Sequence, residues 1–122
     1  MRTLIIALYG FAAQVLFWTG AADAHAFLQR AMPLVGSTIP NSPPDLTLDY
    51  SEPIEPHFSS VVVMDADGQR VDKRDGHVAP DNLKRLIVGL PVLKPGTYKV
   101  EWHILSVDTH RTEGRFTFSV QP

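Results

Sequence analysis

Two stretches near the C-terminus alternate apolar and polar residues, and this period of two decides what the chain can fold into. Tyr98, Val100, Trp102 and Ile104 interleave with Lys99, Glu101 and His103, and Phe116, Phe118 and Val120 repeat the pattern after a polar loop. Successive side chains of a strand leave on opposite faces, so each stretch predicts a strand with one face in a core and one in water. Leu46, Leu48 and Tyr50 predict another over Asp45 to Ser51. Further strands are expected over Ala26 to Val35, ending near Pro33, and over Leu86 to Leu90. Ser60 to Met64, with its run Val61-Val62-Val63, predicts a strand buried on both faces or crossing the core, and Arg70 to Asp72 a short return strand across an Asp65 to Gly68 turn. Gly36 to Pro44 is rich in turn residues, Lys73 to Asn82 reads as a polar loop, and Leu93 to Thr97 as the tight turn that launches the longest strand. About seven short strands with Pro and Gly turns, and no helical period, predict an all-β fold: a small antiparallel Greek-key β-sandwich or barrel.

The size of the chain supports one such domain. Of its 122 residues, 1–24 have the form of a secretory signal peptide: Arg2 at the charged start, an apolar run from Leu4 to Trp18, and Ala22-Asp23-Ala24 as an A-x-A cleavage site. That run is about 15 residues and contains Gly10 and Gln14, short of the roughly 20 needed to span a bilayer, so cleavage after Ala24 is expected rather than anchoring. Residues 25–122 then form the mature domain. The chain has no Cys, which leaves packing alone to stabilise an exported protein and removes thiolates as nucleophiles or soft-metal ligands. A formal net charge of −2 provides no basic field, which argues against nucleic acid and anionic membrane surfaces as partners. A monomer is expected.

The polar loop between the two alternating strands carries the candidate chemistry. Asp108 and His110 stand at i and i+2, which in extended backbone leave on the same side with Cα atoms roughly 7 Å apart. A carboxylate and an imidazole suit a divalent metal of intermediate hardness, but two ligands make a poor site. Cleavage after Ala24 supplies more, because it makes His25 the first residue of the mature chain. Its free α-amine and ring Nδ1 can chelate one ion, so His25, Asp108 and His110 together offer three nitrogens and one oxygen. Tetragonal N,O coordination favours Cu(II), the strongest binder of the divalent series, and one Cu(II) per chain is expected. Glu52, at the break Ser51-Glu52-Pro53, is a candidate to hold a ligand imidazole in its tautomer from outside the coordination sphere. Asp75-Gly76-His77 repeats the Asp-x-His spacing without a rigid strand pair around it; His77, His57 and the outward-facing His103 are read as surface residues, and Trp102 as core.

With these residues in view, the mature chain resembles the CopC family of periplasmic copper-resistance proteins. The features that carry the resemblance are His25-Ala26 after the signal peptide, Ser51-Glu52-Pro53 closing a strand, Leu93 to Thr97 leading into Tyr98-Lys99-Val100-Glu101-Trp102, then Ser106-Val107-Asp108-Thr109-His110 and Gly114-Arg115-Phe116-Thr117-Phe118. The resemblance implies an immunoglobulin-like or cupredoxin-like β-domain that binds Cu(II) through His25, Asp108 and His110, with Glu52 as a neighbour. It also implies a periplasmic carrier or buffer in copper homeostasis, not an enzyme, served by an inner-membrane copper transport protein. Two departures stand out: Thr109 occupies a position where the family commonly has Gly, and the mature chain keeps only Met32 and Met64, too few for a thioether Cu(I) site. Two other readings compete. An N-terminal His paired with a second His also forms the brace of copper-dependent oxidative enzymes, although Asp108 as a ligand would fill a position an oxidant needs open. A β-sandwich interaction module with incidental histidines is the other.

Overall fold

The computed structural model describes residues 26–122. The signal peptide, the cleavage after Ala24 and His25 lie outside the described residues. Eight strands are present among them: β1 (Leu28–Met32), β2 (Thr38–Ile39), β3 (Asp45–Tyr50), β4 (Ser60–Met64), β5 (His77–Ala79), β6 (Asn82–Gly89), β7 (Gly96–Leu105) and β8 (Arg111–Val120). They form two four-stranded sheets, one ordered β1-β3-β6-β5 and the other β2-β8-β7-β4. Every pairing is antiparallel except that of β2 with β8. The chain passes from one sheet to the other at every connection except β5 to β6 and β7 to β8, which gives the all-β sandwich the alternation predicts.

The inward residues of each strand make the core between the sheets. Leu46, Leu48 and Tyr50 of β3 are at most 1% exposed, and they meet Val100, Ile104 and Phe118 from the opposite sheet, themselves at most 2% exposed. Burying each such side chain is worth about 1.5–3 kcal/mol, so the period of two sets both the strands and the layer between them. The spine of the second sheet is β7 against β8, ten pairs in unbroken register from Gly96 opposite Val120 to Leu105 opposite Arg111. Within it Trp102 lies opposite Gly114, where a Cβ would sit 2.5 Å from the indole Cζ2, so only glycine admits the ring. On its other side Trp102 meets Tyr50 edge-on, ring centroids 5.2 Å apart.

Four segments differ from expectation. The valine run of β4 is half-buried rather than covered on both faces: Val61 and Val63 point inward, whereas Val62 sits opposite Glu101 on the outer face of an edge strand. The polar segment after it is not all loop, because β5 adds to the edge of β6. Carboxylates hold it there. Asp72 is buried and takes the Arg70 guanidinium at 2.9 Å together with the N–H groups of Val63 and Arg74, while Asp75 accepts the Gly89 N–H at 2.7 Å. Arg70 to Asp72 forms no return strand; Arg70 makes one isolated bridge to Met64. The Pro-rich connection contributes β2, and a short 3-10 turn, Pro56–Phe58, precedes β4.

One end of the sandwich gathers the parts that matter for function. Ser51 and Phe27 exchange two hydrogen bonds, Ser51 N–H to the Phe27 carbonyl at 2.9 Å and Phe27 N–H to Ser51 Oγ at 3.0 Å. Ile54 bridges to Ser106 at the start of the β7–β8 loop, and the Pro53 carbonyl accepts the Val107 N–H at 3.1 Å. The beginning of the described chain, the end of β3 and the β7–β8 loop thus share this end.

Candidate metal centre

The β7–β8 loop, residues 106–110, is closed through its first member. Ser106 is fully buried; its N–H donates to the His110 carbonyl and its own carbonyl accepts the Thr109 N–H, both at 2.9 Å. Its hydroxyl donates to Asp108 Oδ1 and accepts the His110 N–H at 3.3 Å. Closing so tight a turn forces Thr109 to φ +72°, the left-handed region where a β-branched residue is strained. The surrounding hydrogen bonds impose that conformation, and the Thr109 hydroxyl adds one more to the Asp108 carbonyl. Glycine at this position would meet no such strain, which gives the departure noted at Thr109 a physical meaning.

Asp108 and His110 do meet, but through this turn, with Thr109 left-handed, and not through the extended backbone expected. Asp108 Oδ2 lies 3.3 Å from His110 Nδ1, and the two side chains are 39% and 47% exposed. The Ser106 hydroxyl, followed by His110, holds the Asp108 carboxyl below the usual carboxylate range, so it is ionised at neutral pH. A carboxylate oxygen and an imidazole open to solvent can take a divalent ion, but only in part. Among the described residues no three His, Asp or Glu side chains converge on a common point, so the pair needs a further donor.

The other residues singled out in the sequence fall into place around this pair. Glu52 is exposed at the bend after β3, one residue before the Pro53 carbonyl that holds Val107. His57 is exposed in the 3-10 turn. His77 places Nδ1 2.9 Å from the Asp75 carbonyl while the Asp75 carboxylate is committed to Gly89, so the second Asp-x-His triplet is part of the β5 scaffold. His103 faces outward and pairs with Glu113 at 3.0 Å, and Trp102 is buried. Two residues outside those predicted also bear on the site. Ser106 organises the loop. Thr112, two residues beyond His110, donates its hydroxyl to the Ala26 carbonyl at 2.9 Å, and Ala26 is completely buried. A Ser two positions before an Asp in a turn was a signal for the first; nothing local in the sequence marks the second, whose partner is 86 residues away.

The CopC domain family matches residues 28–121, nearly the whole of the described chain. The chain belongs to the CopC family. It is 37% identical over 104 residues to protein YobA of Escherichia coli K12, covering 84% of each chain. The crystal structure of CopC from Methylosinus trichosporium OB3b superposes with a TM-score of 0.75 at 32% identity, covering 80% of this chain and 95% of that one. Copper transport protein CutJ of Bacillus subtilis is 28% identical over 107 residues, which cover 87% of this chain but 20% of CutJ. CopC proteins are copper-resistance and copper-transport proteins and not enzymes, so the oxidative-enzyme reading falls, and copper is the ion the Asp108–His110 pair is to be judged against.

Proposed function

We propose that this protein is a periplasmic carrier or buffer that holds one Cu(II) per chain, bound by the amine and ring of His25 with Asp108 and His110. The observation that carries this reading is the anchoring of Ala26. Its carbonyl is tied to Thr112 and its side chain is buried, so the start of the described chain is fixed beside the loop that presents Asp108 and His110. That supports the missing donors coming from the mature N-terminus, in the number and kind that Cu(II) favours. Export and cleavage after Ala24 are part of the proposal, since only cleavage frees the amine. The partner in this reading is a membrane copper transport protein, to which the ion is passed or from which it is withheld. CutJ supports it by carrying a region similar to this chain within a longer copper transport protein.

The test is a Cu(II) titration of the mature domain beside its His110→Ala variant, with the bound metal read by electron paramagnetic resonance. The wild type is expected to take one equivalent with a nitrogen-rich tetragonal spectrum, and the variant to bind far more weakly with fewer nitrogens. Equal binding by both would place the copper elsewhere.

A further inference from the structure

We propose that Ser106 is a positioning residue that makes Asp108 a one-oxygen ligand, holding Oδ1 so that only Oδ2 is offered to the metal. The inference rests on the copper site proposed above. A free carboxylate on an exposed loop can rotate and can present both oxygens, the bidentate mode that larger, harder ions such as Ca²⁺ readily accept. Asp108 lacks that freedom. The hydroxyl of Ser106 has one proton and two acceptors within reach, Asp108 Oδ1 and the His110 carbonyl at 3.3 Å, and the carboxylate is the nearer and the charged one. Ser106 cannot turn away, because it is wholly buried, its backbone is bonded at both N–H and carbonyl, and its Oγ also receives the His110 N–H. The oxygen it leaves over, Oδ2, is the one 3.3 Å from His110 Nδ1. The buried hydroxyl, joined by the hydrogen bonds His110 makes to the same carboxylate, therefore fixes its rotation and leaves one coordination position where an unrestrained carboxylate would claim two. That restraint suits four donors around a tetragonal ion, three nitrogens and one oxygen.

Such outer partners of a ligating carboxylate, when removed, cost about 10–100-fold in metal affinity. The experiment compares the mature wild type with Ser106→Ala, using Cu(II) alone as probe, affinity by competition with a chelator, and the paramagnetic resonance spectrum of each one-to-one complex. The expected result is an affinity lowered by about 10–100-fold together with altered g and hyperfine values, in a variant whose circular dichroism matches the wild type. Wild-type affinity and an unchanged spectrum in Ser106→Ala would overturn the positioning role and leave the copper site standing. A wild type that binds no Cu(II) would overturn both. A crystal structure of the copper-loaded wild type decides the point without any variant: Ser106 is expected still on Oδ1 with the metal on Oδ2, and copper on both carboxylate oxygens would refute the proposal.

Discussion

Replacing Gly114 with alanine puts the β7–β8 register to a quantitative test. A methyl group there would stand 2.5, 2.8 and 3.1 Å from the indole atoms Cζ2, Cε2 and Nε1 of Trp102. Carbon atoms pack best at about 3.5–4.0 Å, so ring and strand must part by roughly 1 Å. The ring has little room to yield, being 7% exposed and backed by Tyr50 at 5.2 Å. Overpacking of this kind costs about 1–3 kcal/mol. In an open strand the same substitution would stabilise by about 0.4–1 kcal/mol through the unfolded chain, so the sign of the effect is itself diagnostic. At about 4–8 °C per kcal/mol for a domain of this size, Gly114→Ala should lower Tm by roughly 5–20 °C. The assay is thermal unfolding of the mature domain by circular dichroism, alongside the emission of Trp102, which is the sole tryptophan once residues 1–24 are gone. A Tm equal to or above the wild type, with unchanged emission, would refute the contact and with it the register that presents the loop.

Two pH responses follow from the charged groups. Burial works against the Asp72 charge, but the Arg70 guanidinium and the N–H groups of Val63 and Arg74 outweigh it and hold the carboxyl below its ordinary value. Its contribution is present above the unfolded pKa near 3.9 and is lost as pH falls through the lower folded value, so denaturant unfolding should show stability dropping below about pH 4, with a flatter acid limb in Asp72→Asn. Copper binding should respond at higher pH. Imidazole and amine must lose their protons to bind, whereas Asp108 is already ionised, so Cu(II) affinity should fall as pH drops through the range of about 8 to 6. A constant affinity between about pH 5 and 8 would contradict the ligand set.

The strands that bury one face were legible because their alternation is a direct image of that burial: β3, β7 and β8 lie where Leu46 to Tyr50, Tyr98 to Ile104 and Phe116 to Val120 predict them. Elements held by something other than an apolar face were not. β5 depends on Asp72 and Asp75 capturing backbone groups at a distance, and β2 is two residues whose place is set by parallel pairing to β8. The valine run of β4 misled because apolar composition alone does not distinguish an edge strand from a central one. At the site, the spacing named Asp108 and His110 but not the geometry that joins them, which is a turn through a left-handed Thr109 and not extended backbone. The closure by Ser106 was signalled only by a Ser two positions before the Asp, and the anchoring of Ala26 by Thr112 was not signalled at all, since its partner is 86 residues away.

The proposal that the mature N-terminus is a copper ligand meets its most direct test in one acetyl group. A mature domain beginning at His25 and the same domain acetylated on its α-amine differ only in whether the His25 amine is free to close a chelate with its own ring. Cu(II) affinity and paramagnetic resonance spectra of the two should differ sharply, the native form binding one ion with a nitrogen-rich tetragonal signal and the acetylated form binding much more weakly. Identical affinities and spectra would show that His25 does not chelate through its amine and would contradict the proposed site.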